Sequence, residues 1–200
     1  MKFLKQKDGF LGYEAITRTK SKVVVVPFGL EKTVSYGSGT KNAPKEIIKA
    51  SHQVELFDEE LGKETFKYIG IKTLKSFRIK NQIKSAMTQI ASLIEQILSQ
   101  KLFPLVLGGE HSITSGSIRP FVKRFKNLYI LHFDAHADLR QQYGGEKYSH
   151  ATAIRRCLDY KNVKVISFGI RNLSKEEMTF YNKNRKRIKI FWGNKKNNWK

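Results

Sequence analysis

Apolar residues fall along this chain in short runs, and the runs alternate with stretches of helical spacing. Val23-Val24-Val25-Val26 is a β-branched run of the kind that forms a buried strand, and Pro27 is expected to end it. Residues 43–50 read as a short helix with Pro44 in its first turn. Val54 to Phe57 reads as a short strand, and residues 58–77 show no clear period. From Ile79 to Leu98, the residues Ile79, Ile83, Met87, Ile90, Ile94 and Ile97 recur every three or four positions. That spacing predicts an amphipathic helix. A strand over Leu102–Leu107, a helix over Ser115–Phe125 and a strand over Leu128–Phe133 follow. The remainder predicts a helix at His150–Leu158, a strand at Val163–Phe168, a helix at Lys175–Asn182 and a last strand at Ile188–Trp192. Such alternation predicts the α/β class, with right-handed crossovers and a parallel sheet covered on both faces. Ligands of such sheets bind beyond the carboxyl ends of the strands. No internal repeat, linker or domain boundary interrupts the pattern.

Composition narrows this picture. A chain of 200 residues with 40% hydrophobic and 12% aromatic content suits one folded domain with a sizeable core. The single cysteine, Cys157, excludes an internal disulfide and fits a reducing compartment. No apolar run approaches the roughly 20 residues of a membrane span, and no signal-peptide core follows the first residues. A cytoplasmic protein with no membrane partner is expected. The net charge of +21 raises the question of nucleic acid. The lysines are spread along the whole chain, however, and the densest cluster, residues 184–200, is rich in both Lys and Asn. A solvated basic surface is expected, with no nucleic-acid partner.

Candidate chemistry sits at two strand ends. The strand Leu128–Phe133 runs directly into Asp134-Ala135-His136-Ala137-Asp138, so two carboxylates and an imidazole arrive at every second residue. Alternate residues of an extended segment face one way. Gathering two acids without a cation is costly, because desolvated like charges repel. The strand Leu102–Leu107 ends in Gly108-Gly109-Glu110-His111-Ser112 and delivers another histidine in a similar setting. Together they look like a metal site at a sheet edge. Each residue alone has a plainer reading: Asp134 or Asp138 as a loop acid or cap, His111 as a cap, His150 as a surface residue at a helix start. Glu110 reads as a turn residue or a support behind the ligands, and His132, on the same pleat face as Asp134, as an outer support or packing residue rather than a ligand. His52 reads as a surface residue, Cys157 as core lining, and Arg171 as a strand-end cation paired with an acid inside the protein.

The ordered set of motifs resembles the ureohydrolases, the family of arginase, agmatinase and formiminoglutamase. Gly108 to Thr114 and Phe133 to Asp138 are similar to the family's first two metal motifs. The Gly37–Ile47 stretch, Ser149-His150-Ala151 with Arg155-Arg156, and Phe168-Gly169-Ile170-Arg171 extend the likeness over most of the chain. The resemblance implies a three-layer αβα fold with a parallel sheet and a site for two Mn2+ ions. His111 and Asp138 would bind one ion, His136 the other, and Asp134 both. It implies hydrolysis of a guanidino group, with His150 shuttling a proton to the departing amine, and it implies a homo-oligomer.

The family's third motif, an Asp-x-Asp on a later strand, has no match, since nothing after Asp159 is an aspartate. The resemblance therefore implies a single incomplete domain over residues 1–200, missing its C-terminal strands and holding a second ion poorly. Tyr143 to Ala151, after the second motif, is closer to agmatinases than to arginases. The implied substrate is a small cationic guanidino compound, agmatine, cleaved to putrescine and urea in polyamine biosynthesis. Glu146 could attract its ammonium tail, or could be a plain loop acid. The alternatives are an inactive metal-binding remnant and a hydrolase of another guanidino or formimino compound.

Overall fold

A computed structural model describes residues 1–13 and 15–193. The far end of the basic stretch 184–200 lies outside the described residues. Among the described residues six strands form, all paired in parallel: β1 (Val23–Phe28), β2 (Ile71–Thr73), β3 (Phe103–Gly108), β4 (Leu128–Phe133), β5 (Val163–Ile170) and β6 (Ile188–Trp192). The helices are α1 (Ala43–Ala50), α2 (Phe66–Ile69), α3 (Ile83–Ser99), α4 (Thr114–Ser117), α5 (Arg119–Arg124), α6 (Ala153–Cys157) and α7 (Lys175–Lys183). The α/β class with parallel strands matches the expectation. The strands make two three-stranded sheets, ordered β2-β1-β3 and β4-β5-β6, where one sheet was expected.

Contacts divide the chain into two compact units. The first comprises Met1–Glu31, Tyr36–Asn81 and Ser92–Glu110, and the second Lys32–Ser35, Gln82–Ala91 and the chain from His111. The first is built on β1, whose Val24 and Val26 pack with Leu74 and Ile97. Strand β1 continues through Pro27, contrary to the break expected there. Its neighbour β2 reaches only the level of Val25, so Pro27 lies where β1 is paired on one side alone. Proline is tolerated at such a place.

In the second unit, Ile154 and Cys157 of α6 pack with Val163, Val165 and Ile170 of β5 and Ile188 of β6. Burial pushes the Cys157 thiol up to about 12, with Asp159 adding to the rise and Arg156 opposing it. The core-lining reading of that cysteine holds.

Several local expectations are corrected. Helix α3 begins at Ile83, after bends at Asn81 and Gln82, so Ile79 fits the period without being helical. The helix expected over Ser115–Phe125 is two pieces, divided at Ile118 with Pro120 in the first turn of α5. His150–Thr152 is a 3-10 turn leading into α6. Val54 to Phe57 forms no strand, and both end residues are exposed. With no sheet to pair against, its apolar alternation has no face to bury. Finally, β4 is not covered on both faces: Tyr129, Leu131 and Phe133 are exposed, while His132 is buried. On the exposed face, Phe133, Phe168 and Phe191 stand level across β4, β5 and β6, with successive ring centroids 4.9 Å apart.

Two substitutions test these assignments by urea unfolding. Ile154→Ala should cost about 2–5 kcal/mol, the range for emptying a well-packed core position. Val54→Ala, at an exposed position without a partner strand, should change stability by less than about 0.5 kcal/mol. A large loss at Val54 would restore the strand.

Candidate metal centre

Period-two geometry carries the site out of β4. Leu128, Ile130 and His132 share the face turned toward the core, and Asp134 continues that face one residue past the strand. The Asp134 N–H donates to the Phe168 carbonyl at 3.1 Å, so pairing with β5 persists through the first carboxylate. The following loop is held at successive points. The Ala135 carbonyl accepts from the backbone N–H groups of Arg171 (2.9 Å) and Asn172 (3.0 Å). Ala137 and Leu139 are buried on either side of Asp138. Asp138 adopts φ +50°, the left-handed region that aspartate tolerates better than most residues. Its carbonyl accepts from the Arg155 N–H at 2.9 Å.

Helix α7 supplies two further anchors, Glu176 and Glu177, that the sequence analysis did not single out. Glu177 is buried, and its Oε1 accepts from the Leu139 N–H at 3.0 Å while Oε2 accepts from the Ser174 N–H at 2.7 Å. Glu176 Oε1 accepts from the Gln141 N–H at 3.0 Å. The signal was available in part: Ser174-Lys175-Glu176-Glu177 is a capping-box pattern, and the box forms. That a carboxylate of this box also grips the Asp138 loop depends on tertiary contact and is not written in local spacing.

His111 opens a 3-10 turn whose next residues, Ser112 and Ile113, are buried. The preceding glycine has a steric reason. A Cβ on Gly109 would lie 2.2 Å from the Leu30 carbonyl oxygen, which accepts from the Glu110 N–H at 2.9 Å. Glu110 is buried.

The result is a cluster of donors. His111 Nδ1 lies 2.5 Å from Asp138 Oδ2 and 3.8 Å from Asp134 Oδ2. His132 Nε2 lies 3.5 Å from Asp134 Oδ2, and the His132 and His111 rings stack with centroids 5.4 Å apart. One atom from each of His111, His132, Asp134 and Asp138 falls within 4.8 Å of the others. Of the four ligands implied by resemblance, three gather here. His136 sits beside them, its Nδ1 3.5 Å from Asp134 Oδ1, but its side chain is 65% exposed. Its backbone N–H, rather than its ring, makes the close contact, donating to Asp134 Oδ1 at 2.8 Å. His132, read as an outer support or packing residue rather than a ligand, joins the cluster.

Burial alone would raise the Asp134 carboxyl. The approach of the His132 ring, the donating His136 N–H and the nearby His111 outweigh it, and hold the group well below the usual carboxylate range. The donor set fits a divalent cation: two carboxylates must coexist at short range, and mixed oxygen and imidazole donors suit manganese or a similar ion.

His150 stands outside this group, in a ring of hydroxyls. Its Nδ1 is 3.2 Å from Thr33 Oγ1 and 3.3 Å from Ser149 Oγ, and its Nε2 is 3.0 Å from Ser35 Oγ. The Tyr143 ring meets it edge-on with centroids 5.4 Å apart, and Ser35 Oγ is 3.2 Å from the Tyr143 hydroxyl. Thr33 and Ser35 went unnoticed in the sequence, where hydroxyls at alternate positions of a loop carry no distinctive signal, and Tyr143 was singled out only as the start of the loop after the second motif. Among the described residues Arg171 does not make the internal ion pair expected of it. Its side chain is exposed and donates to the Gly169 carbonyl at 3.4 Å.

Comparison with known proteins gives concordant findings. Residues 21–197 match the model of the Arginase family. The chain is 31% identical over 198 residues to N(1)-aminopropylagmatine ureohydrolase of Synechocystis sp., covering 96% of this chain and 64% of that protein. It is 33% identical over 165 residues to agmatinase of Bacillus cereus, covering 79% and 55% respectively. The crystal structure of agmatine ureohydrolase of Thermoplasma volcanium superposes with a TM-score of 0.71 at 30% identity, covering 88% of this chain and 59% of that one. The chain thus spans between a little over half and somewhat under two thirds of the length of these relatives.

The depressed Asp134 carboxyl sets a pH dependence. A group whose folded value lies below its unfolded value near 3.9 contributes its full stability above that value. The contribution is lost as the pH falls below it, toward the folded value. Between pH 5 and pH 3 the metal-free chain should therefore lose more stability than Asp134→Asn, as read from urea midpoints. Parallel losses in the two proteins would contradict the assigned environment.

Proposed function

Because this chain belongs to the arginase family, we propose that it serves manganese-dependent hydrolysis of a guanidino group, agmatine to putrescine and urea. The observation that carries this reading is the convergence of His111, Asp134 and Asp138, with His132, inside the reach of one cation. The likeness to agmatinases over the same residues supplies the reaction class. The reading carries with it a small cationic guanidino substrate, homo-oligomeric assembly and a cytoplasmic location.

His111 and Asp138 would hold one ion, His136 the other, and Asp134 both. A bound pair of divalent ions would supply a water acidic enough to be a nucleophile near neutral pH, which an uncharged bulk water is not. The protein's own groups do the rest. Asp134, held far below the usual carboxylate range, stays anionic at neutral pH. His150 would give a proton to the departing nitrogen as the carbon–nitrogen bond breaks, and regain one from solvent. Imidazoles titrate near neutrality and suit that exchange. The hydroxyls of Thr33, Ser35 and Ser149 around the His150 ring would orient it.

A second reading concerns the amine tail. The likeness to an N(1)-aminopropylagmatine ureohydrolase extends over nearly the whole chain, which favours N(1)-aminopropylagmatine as an alternative substrate.

Manganese content and urea release measured on the same preparations test both readings. Asp134→Ala should lose more manganese than Asp138→Ala, because a shared ligand serves both ions. His150→Ala should keep its manganese and lower kcat by about 10²–10⁴-fold, the usual contribution of a general acid–base group. Unchanged turnover would remove His150 from the mechanism, and lost metal would make it a ligand. The ratio of rates on agmatine and N(1)-aminopropylagmatine decides between the two amines. Bound manganese without urea from either would leave a metal-binding remnant in place of an enzyme.

A further inference from the structure

His132 is the one member of the donor cluster that neither the family roles nor the proton-transfer step employs. Its side chain is 95% buried, with 5% of its surface exposed. It stands directly opposite Ser167 in the β4–β5 register, and its Nδ1 lies 3.1 Å from the Ser167 hydroxyl, itself buried. Its other nitrogen, Nε2, has no hydrogen-bond partner among the described residues. Leaving such an atom unpaired inside a protein is costly, so it points to something it is built to meet. What it faces is Oδ2 of Asp134, 3.5 Å away.

Two neutral forms of the ring are available, and the surroundings choose between them. With the proton on Nδ1, that nitrogen would donate to Ser167, and Nε2 would aim a lone pair at a carboxylate oxygen. Two electron-rich atoms would then oppose each other in a buried place. With the proton on Nε2, the Ser167 hydroxyl donates to Nδ1, and Nε2–H points at Asp134. Only the second arrangement is favourable at both ends. The 3.5 Å separation is slightly beyond a formed hydrogen bond, so the donor is poised at the carboxylate rather than locked to it.

We propose that His132 is a positioning residue for Asp134: Ser167 fixes its tautomer, and its Nε2–H orients the carboxylate that serves the metal centre. The proposal rests on the reading of the cluster as a metal centre. It makes His132 a donor to a ligand rather than a ligand. Outer partners of this kind commonly set metal affinity by orienting the groups that bind.

The test uses the full chain, with Mn2+ as probe in equilibrium dialysis, and with the 15N spectrum of the metal-free histidine rings. His132→Phe keeps a ring but removes the donor, and should weaken Mn2+ binding by about 10–100-fold. His132→Gln places an amide N–H at similar reach and should bind close to wild type. Ser167→Ala should fall between them. The metal-free His132 ring should be protonated on Nε2 alone. His132→Gln as weak as His132→Phe would overturn the proposal, because only the imidazole itself, as ligand or as packing, would then matter. Unweakened binding by His132→Phe would overturn it, as would a ring protonated on Nδ1. Circular dichroism of the metal-free variants separates lost binding from lost folding, and if His132→Phe does not fold, the ring tautomer and His132→Gln decide. If the wild-type chain binds no Mn2+, the metal-centre reading fails, while the tautomer still decides the role of His132.

Discussion

Two carboxylates, Asp134 and Asp138, are brought to the same imidazole by a loop of five residues, and much of the surrounding structure resists the repulsion this creates. Ionised acids at such range disfavour one another, and partial burial strengthens the effect. The chain answers with donors: the His136 N–H on one oxygen of Asp134, His111 on Asp138, and His132 poised at the other oxygen of Asp134. It answers also with backbone anchors. Ala135 is tied to Arg171 and Asn172, Leu139 to Glu177, Gln141 to Glu176, and the Asp138 carbonyl to Arg155. Together these ties hold an aspartate in a left-handed conformation without a glycine's freedom.

The anchors explain why distant elements matter to the centre. Helix α7 uses the same Glu177 carboxylate to cap its own first turn and to hold the residue after Asp138. Strand β5 supplies both the carbonyl that accepts from Asp134 and the serine opposite His132. The site draws on the core-facing side of β4 only. On its opposite face Tyr129, Leu131 and Phe133 are exposed among the described residues, a departure from the two-sided cover usual for parallel strands.

The fold was legible where burial enforced a period. Strands β4 and β6 fall where their apolar patterns predict, because each presents a distinct face to a core, and helix α1 falls where Pro44 in its first turn predicts. Val54 to Phe57 misled because alternation without a neighbouring strand has nothing to bury, and Pro27 misled because its cost depends on whether β1 is paired on both sides there. At the site, His111, Asp134 and Asp138 were legible from their placement at strand ends. His132 was read on the correct face as an outer support or packing residue, and the nitrogen that distinguishes the two appears unpaired only in three dimensions. Glu177, Thr33 and Ser35 contribute through contacts between residues 38 and 117 positions apart, which no local pattern encodes.

The central claim is that the cluster around His111 and Asp138 is a cation site. Thermal unfolding of the chain over a range of Mn2+ concentrations tests it most directly, because an ion that binds only the folded state stabilises it by mass action. The account predicts a Tm that climbs with Mn2+ in the wild-type chain and does not respond in a variant carrying both His111→Ala and Asp138→Ala. A Tm indifferent to Mn2+ in the wild type, or an equal rise in the double variant, would contradict it.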